Sequence, residues 1–234
     1  GVKETLKDIS LSIRSGEMAV IFGLVGAGQT ELCRAIFGDL PYTEGKMWLG
    51  GKEIHIRNIQ DACREGIGYV SDDRKNEGII PLLSIQENIC LASYPGKLSG
   101  SLGIIKRTAA KQTAQTFYDK LHIKSAGLGQ KIGSLSGGNQ QKGMICRWLA
   151  NDVKLLILNM PTRGVDVGAR AEIYRALENL AEQGVAVLAI SPELQETLAI
   201  ADIIYVMHEG RMIGKLDRKE ATQEKLMKLA LGIQ

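Results

Sequence analysis

The 234-residue chain has no apolar run near the roughly 20 residues that a helix needs to cross a bilayer, so we expect no membrane-spanning segment. It has only four cysteines, far apart and without a C-x-x-C pair. This spacing disfavours disulfides and a zinc site and fits free thiols in a reducing cytosol. Its three histidines are isolated, which favours packing or surface roles because metal sites require clustered ligands.

The charge of the chain is nearly balanced, with a formal net charge of +3 and basic residues that are scattered rather than clustered. Composition therefore gives no reason to expect nucleic acid or acidic lipid as a partner. With 44% hydrophobic and 24% charged residues, the length suits one large domain with a substantial core. Two small lobes are the alternative.

The first part of the chain alternates strand and helix patterns. Residues 18–22 are a continuous apolar run, as in a buried parallel strand, and a glycine loop leads from it to a helical pattern at 30–37. Apolar alternation over residues 1–14 predicts another strand. Such a strand would pair with segments that precede it, so we expect the chain to be a piece of a longer polypeptide. Further predicted elements are a hairpin at 47–56, a short helix ending at residue 64 and a strand at 67–70.

The middle of the chain changes character. Residues 84–134 have a helical pattern, longest at 107–121, and predict a helical subdomain inserted between strands. The α/β alternation then resumes, with predicted helices at 139–149, 170–183 and 222–231 and predicted strands at 154–158, 185–190 and 203–207. We expect one α/β domain over 1–234, with a core at about 1–83 and 139–234 and the helical subdomain at about 84–138.

The loop after the first buried strand has the frame of a phosphate-binding P-loop, GxxxxGK[ST], from Gly23 to Thr30. Its glycines suit a turn whose backbone N–H groups converge on a phosphate at a helix N-terminus. Gln29 stands where the lysine is expected and brings no charge, while Glu31 adds a negative one. A glycine-rich turn without a ligand is the alternative interpretation.

A second apolar strand ends in Asn159 and Met160, where P-loop ATPases place a magnesium-associated aspartate and a glutamate that polarises water. An amide lacks a carboxylate's charge, and a thioether cannot accept a proton. Loss of a general base alone typically lowers a rate by a factor of about 10²–10⁴.

The run LSGGN at 135–139 precedes a predicted helix. With the P-loop frame and LLILNMPTRGVD at 155–166, it resembles the ATP-binding cassette (ABC) family over nearly the full chain. More narrowly, GLVGAGQTEL, GIGYVSDDRKNEGI, LSGGNQQK and PTRGVDVGAR are similar to the second cassette of the tandem ATP-binding subunits of bacterial monosaccharide importers of the ribose and galactose type.

The resemblance implies a P-loop NTPase fold: an ABC nucleotide-binding domain with a RecA-like core, an antiparallel β subdomain and an inserted helical subdomain. It also implies that two cassettes face head to tail, so that each ATP lies between one P-loop and the other cassette's signature. A serine N-cap alone is the structural alternative for Ser136. The implied nucleotide-binding residues are Gly23, Gly26, Ala27, Gly28, Gln29, Thr30, Glu31, Ser136, Gly137, Gly138, Asn139 and Gln140, and the candidate Mg²⁺ ligands are Thr30 and Asp72.

Other family positions also depart from the usual pattern. Asp72 stands where a glutamine is usual, and Ser191-Pro192 offer no switch histidine. We assign no catalytic residue. The segment from Ser71 to Glu77 and the apolar positions from Ile79 to Ile85 occupy the place where the resemblance puts the docking site of a membrane subunit. A solvated charged loop is the alternative there.

We therefore expect a cassette of a bacterial simple-sugar ABC importer that binds ATP and Mg²⁺ weakly or statically, hydrolyses little at its own P-loop, and supplies LSGGN in trans. The expected partners are a second cassette, in the same polypeptide or as a dimer mate, a membrane permease and, indirectly, a sugar-binding protein. The expected location is cytoplasmic, at the inner face of the membrane through the permease. A non-catalytic ABC-fold regulatory module without a transporter is the alternative; soluble ABC proteins of DNA repair or translation are disfavoured, and no nucleic acid is expected.

Overall fold

The computed structural model describes residues 6–233, which form two compact units. The strand unit comprises residues 6–69, 154–160 and 177–233. The helical unit comprises residues 70–153 and 161–176. None of the helices in 6–233 combines the length and the apolar composition needed to cross a bilayer.

The described residues contain eight strands and eight α-helices. The strands are β1 (Met18–Phe22), β2 (Met47–Leu49), β3 (Lys52–Ile54), β4 (Ile67–Val70), β5 (Leu155–Asn159), β6 (Ala186–Ile190), β7 (Ile203–His208) and β8 (Arg211–Asp217). The helices are α1 (Gln29–Ile36), α2 (Ile59–Glu65), α3 (Ile85–Cys90), α4 (Arg107–Lys120), α5 (Gly137–Leu149), α6 (Val167–Glu182), α7 (Leu194–Ile200) and α8 (Gln223–Ala230). A π-helical turn covers Arg74–Gly78, and 3₁₀ turns cover Leu91–Ser93 and Ile132–Ser134.

Six strands form a mixed sheet in the order β4-β5-β6-β1-β7-β8. Strand β1 lies between β6 and β7 and is parallel to both, with Ala19 opposite Leu188 and Ile203. Every residue of β1 and β6 is buried, because a central parallel strand is covered on both faces. Strand β8 is antiparallel to β7 at one edge, and β2 and β3 form a separate antiparallel hairpin.

The apolar runs that predicted strands are strands in the structure. Those predicted at 18–22 and 67–70 match β1 and β4, and those at 154–158, 185–190 and 203–207 match β5, β6 and β7 to within one residue. Continuous apolar runs identify buried parallel strands because these strands have no solvent face. The predicted helices at 30–37, 107–121, 139–149, 170–183 and 222–231 are also present, with ends displaced by at most three residues.

The strand predicted over residues 1–14 is wrong for residues 6–14, which contain no strand; residues 1–5 lie outside the described residues. Instead of a ladder, this segment is joined to the strand unit by separate hydrogen bonds. The Ser12 backbone N–H donates to the Tyr205 hydroxyl at 3.0 Å, and that hydroxyl donates to the Ser12 carbonyl at 2.6 Å. Apolar alternation therefore did not produce a strand here, and the backbone groups of Ser12 bond to a side chain instead of a neighbouring strand.

Three elements were not predicted: β8, α7 and the π-helical turn. Strand β8 alternates exposed and half-buried residues, so it lacks the apolar run by which the other strands of the sheet were found. Helix α7 has only seven residues and follows Glu193, whose side chain makes no capping hydrogen bond, whereas the equally short α2 follows the capping residue Asn58.

The helical unit packs α3 against α4 and α5, as the helical pattern over 84–134 predicted for α3 and α4. Helix α3 begins with a capping box between Ser84 and Glu87. Asn88 is fully buried and bonds to both backbone groups of Ile80, at 2.9 and 3.0 Å. The Arg147 side chain donates to the Asn88 carbonyl at 2.9 Å, and burial lowers the pKa of Arg147 to about 10.

Candidate nucleotide-binding site

The P-loop lies between the end of β1 and the start of α1, as predicted. Gly28 is the N-cap of α1 with φ of 104°, and Gly26 has φ of 87°, values that only glycine adopts without strain. A Cβ on Gly23 would lie 2.6 Å from the Met207 carbonyl oxygen. The glycines are thus required by backbone shape, and the loop presents the N-terminus of a helix of eight residues to an anion.

The Gln29 side chain turns back into its own loop. It is 6% exposed, and its amide nitrogen donates to the Leu24 carbonyl at 3.3 Å. Ala27 is also buried, and its N–H donates to the same carbonyl at 3.0 Å. Glu31, in the first turn of α1, is half-buried. The side chain at the lysine position therefore adds a neutral donor to the loop.

Thr30 and Asn159 lie together in the strand unit. The Asn159 amide nitrogen donates to the Thr30 hydroxyl at 3.4 Å and to the Tyr69 hydroxyl at 3.3 Å. Asn159 is 1% exposed, at the carboxyl end of β5. The end of this strand therefore meets the start of α1, where P-loop proteins hold a metal ion. Across residues 6–233, no group of three His, Cys, Asp or Glu side chains is placed to hold a metal.

Met160 and Ser191, the residues that directly follow β5 and β6, carry neither a carboxylate nor an imidazole that could accept a proton. Met160 has φ of 47°, an uncommon value for a residue with a side chain, and its N–H donates to the Ile190 carbonyl at 3.0 Å. Ser191 is fully buried, and its hydroxyl donates to the Glu196 carboxylate. Its hydroxyl also accepts the Glu193 N–H at 3.1 Å, so this serine is used within its own turn.

The signature run forms the start of α5 in the helical unit. Ser136 is the N-cap residue, but its hydroxyl accepts no backbone N–H of the helix; it accepts the Asn139 side-chain N–H at 2.9 Å. The Asn139 oxygen accepts the Lys124 backbone N–H at 2.8 Å. The interpretation of Ser136 as a serine N-cap alone is therefore incomplete, because its side chain is held by another side chain.

The two signature glycines lie against neighbouring segments. A Cβ on Gly137 would lie 3.0 Å from the Arg74 Nη2 atom and 3.2 Å from the Gly164 carbonyl oxygen. A Cβ on Gly138 would lie 2.6 Å from the Ala169 Cβ atom. Close approach therefore requires glycine at Gly138 and leaves little room for a side chain at Gly137.

Gln140 joins three segments of the helical unit through its amide group. Its oxygen accepts from Arg74 Nε at 3.0 Å, and its nitrogen donates to the carbonyls of Leu135 at 3.0 Å and Gly133 at 3.3 Å. Gln140 is only 9% exposed. Its side chain therefore fixes the turn that precedes the signature.

A buried lysine anchors the middle of α5. Lys142 is 3% exposed; its ammonium donates to the Glu172 carboxylate at 2.7 Å and to the His122 carbonyl at 3.2 Å. The hydrogen bond from Lys142 holds the pKa of Glu172 below its usual range.

Asp72 lies at an open cavity of about 390 Å³ that is lined by Asp72, Asp73, Arg74, Lys75 and Arg163. The Arg163 guanidinium donates to the Asp72 carboxylate at 2.5 Å. The hydrogen bond from the Asn76 side chain holds the pKa of Asp73 below its usual value. Sequence reasoning gave neither Arg74 nor Arg163 a role of its own, although Arg74 lies in the charged DDRK run and Arg163 in the PTRGVD run.

The chain is similar to known proteins over most of its length. A protein-family model described as ABC transporter matches residues 6–163. The ribose import ATP-binding protein RbsA of Caldanaerobacter subterraneus subsp. tengcongensis is 44% identical over 99% of this chain and 46% of the relative. RbsA of Lactococcus lactis subsp. lactis is 46% identical over 98% of this chain and 46% of the relative. The xylose import ATP-binding protein XylG of Thermoanaerobacter pseudethanolicus is 45% identical over 98% of this chain and 45% of the relative.

The chain thus spans about half the length of the curated relatives that it matches. Solved structures share its fold. MJ1267, an ATP-binding cassette of an ABC transporter in its ADP conformation, has a TM-score of 0.81 at 22% identity, covering 97% of this chain and 92% of that one. The dimeric cassette MJ0796 bound to ADP and Pi has a TM-score of 0.77 at 23% identity, covering 92% and 90%. The predicted fold class is confirmed: the chain belongs to the ABC transporter family and has the P-loop NTPase fold of its ATP-binding cassettes.

Proposed function

We propose that this chain is the second, C-terminal cassette of a tandem ATP-binding subunit in a simple-sugar importer. In this proposal, its own P-loop binds ATP weakly or statically with little hydrolysis, and its signature completes the ATP site of a partner cassette. One contrast carries the proposal. The side chains of Gln29 and Asn159 are neutral where P-loop ATPases have charged ones, whereas every residue of the LSGGN run at 135–139 is present, and the run leads into α5.

The importer part of the proposal is supported by relatives that are ribose and xylose import ATP-binding proteins. A tandem arrangement accords with a chain that covers about half of each relative. The partners would be another cassette, a membrane permease and, through it, a sugar-binding protein, with the cassette on the cytoplasmic face of the membrane. A regulatory ABC module without a transporter is not favoured by these relatives.

The proposal that this P-loop binds ATP weakly and hydrolyses little of it is supported by the neutral side chains around it. A charge-assisted hydrogen bond contributes about 1.5–3 kcal/mol, against about 1 kcal/mol for a neutral one, so the Gln29 amide binds a phosphate less strongly than an ammonium would. Met160 cannot accept a proton from water, and the Ser191 hydroxyl is already bound to Glu196.

In the strand unit, the side chains placed to coordinate magnesium are neutral. The Thr30 hydroxyl would hold the ion, and Asn159, at 3.4 Å from that hydroxyl, replaces a carboxylate by an amide. When bound, the ion neutralises phosphate charge. Asp72, the other ligand expected from the sequence, belongs to the helical unit, and its carboxylate is paired with Arg163.

The signature supports a role in trans because it combines a hydroxyl, backbone N–H groups and a helix N-terminus. The helix dipole places about half a positive charge at that end of α5. Ser136 and the glycines Gly137 and Gly138 would contact the terminal phosphate of a nucleotide on the partner's P-loop.

The test compares phosphate release from Mg-ATP by this chain alone and by its complex with a cassette that has an intact P-loop lysine. We expect little release by the chain alone and ordinary turnover by the complex. Ser136→Arg should lower turnover of the complex about a hundredfold, because it blocks the phosphate contact. The matched control is Ser101→Arg in an exposed loop of the helical unit, which should change nothing. Brisk hydrolysis by the chain alone, or full turnover with Ser136→Arg, would contradict the proposal.

A further inference from the structure

Arg74 begins the π-helical turn at Arg74–Gly78. The turn is fixed at both ends: the Asp73 side chain accepts the Asn76 N–H at 3.1 Å, and the Ser71 hydroxyl donates to Glu77 at 2.6 Å. Arg74 is half-buried, whereas Lys75 beside it is exposed. The guanidinium therefore projects from a well-defined segment of backbone.

The signature helix orients this guanidinium. Its Nε–H donates to the Gln140 amide oxygen at 3.0 Å, and the amide nitrogen of Gln140 is bound to the turn before the signature. The Nη2 atom lies only 3.0 Å from where a Cβ on Gly137 would be. A full positive charge thus lies against the first residue of α5, beside the partial positive charge of the helix N-terminus.

The two arginines at the open cavity differ in their partners. Arg163 is neutralised by Asp72 at 2.5 Å. Within residues 6–233, Arg74 uses only its Nε–H, and its two terminal nitrogens have neither a hydrogen-bond acceptor nor a carboxylate partner. A guanidinium held by one edge offers the remaining N–H groups as a planar fork, the geometry that suits two oxygens of a phosphate.

The geometry points to Arg74 as a further phosphate-binding residue on the signature side, one that contacts the terminal phosphate of the nucleotide held by a partner cassette. This inference rests on the proposed function, and it adds selectivity. A contact to the γ-phosphate favours ATP over ADP, since ADP has no γ-phosphate. Gln140 positions the guanidinium, and the cavity leaves space in front of it.

The test uses the complex of this chain with a cassette that has an intact P-loop lysine. The measured quantities are kcat and KM for ATP, the inhibition constant of ADP and the Tm, for the wild type, Arg74→Gln, Arg74→Lys and Lys111→Gln. We expect Arg74→Gln to lower kcat/KM for ATP at least about tenfold, because it removes a charge-assisted contact. Arg74→Lys should retain part of the activity, since it keeps the charge but not the fork.

The inhibition constant of ADP and the Tm should not change in either Arg74 variant. Lys111→Gln removes the same charge from an exposed position on α4 and should leave all four quantities unchanged.

Two results would overturn the inference. One is wild-type kinetics in Arg74→Gln; the other is an equal weakening of ATP and ADP with a lower Tm, which indicates a purely structural role. Ser136→Arg, measured in the same complex, separates the two proposals. If the inference alone is wrong, Ser136→Arg still lowers turnover about a hundredfold; if the proposed function is wrong, both variants keep full turnover.

Discussion

The P-loop of the strand unit and the signature of the helical unit are both glycine-rich turns that lead into a helix, but they use side chains differently. In the P-loop, Gln29 turns back to the Leu24 carbonyl, a neutral contact within the loop. At the signature, a guanidinium lies against Gly137 and is held by Gln140. The comparison teaches that backbone shape and charge are separable parts of a phosphate site.

The largest effect we expect comes from restoring charge to the P-loop. Gln29→Lys combined with Asn159→Asp and Met160→Glu should raise hydrolysis at this P-loop by a factor of about 10² or more, because a general base alone contributes about 10²–10⁴. Phosphate release would be measured in a complex whose partner cassette has an inactivated P-loop.

The matched control for that variant carries the two carboxylates with Gln29→Met in place of Gln29→Lys. It restores the carboxylates but no ammonium, so it should hydrolyse ATP about tenfold more slowly than the variant with lysine. If the variant with lysine is no faster than this control, the proposed loss of activity is not a matter of charge at Gln29, and the comparison between the two turns fails.

A smaller effect is expected from a change in the backbone shape of the P-loop. Gly23→Ala places a Cβ 2.6 Å from the Met207 carbonyl oxygen and should lower the free energy of unfolding by about 2 kcal/mol. Gly129→Ala has no atom within 4 Å of the new Cβ and should stay within about 0.5 kcal/mol of the wild type. Denaturant unfolding measures both, and equal stability of the two variants would show that the P-loop backbone tolerates a shift.

The smallest effect concerns the anchor of the signature helix. Glu172→Gln leaves the buried Lys142 ammonium without its carboxylate and should cost about 1 kcal/mol at neutral pH, since Glu172 is itself partly exposed. The folded-state pKa of Glu172 is depressed, so its stabilisation is present above the unfolded value of about 4.3 and is lost as the pH falls through the folded value.

Thermal unfolding of the wild type and of Glu172→Gln checks this sign. The difference in Tm should be about 3 °C at pH 7, should shrink as the pH falls below about 4.3, and should disappear below the folded-state pKa of Glu172. A difference that persists at low pH would mean that Glu172 acts through packing rather than through its charge.

The buried strands and the two glycine turns could be predicted from the sequence. A strand buried on both faces is a continuous apolar run, and a tight turn before a helix requires glycine. Strand β1 has no polar residue because it lies between two parallel neighbours. Strand β8 could not be found in this way, since an edge strand needs only its partner β7 and no apolar run. Residues 6–14 failed for the converse reason: they have the alternation, but the backbone of Ser12 pairs with the Tyr205 hydroxyl.

In the candidate site, too, some residues could be predicted from the sequence and others could not. Sequence reasoning identified Ser136 and Gly137 because a motif is a run of adjacent residues. It missed Arg74, which is 66 residues from Gln140 along the chain but bound to it in the structure. Neither residue has a sequence pattern that predicts this pairing.

By itself, the sequence determined the residue types at each turn: glycines where the backbone must bend, and Gln29 and Asn159 where charge would be expected. Tertiary structure alone decided which distant side chains meet them. Neutralisation of Arg163 by Asp72, and the absence of such a partner for Arg74 among residues 6–233, depend on contacts between segments far apart in the chain. Electrostatic interactions act through space, so the charge at a site follows from the fold and not from the order of residues.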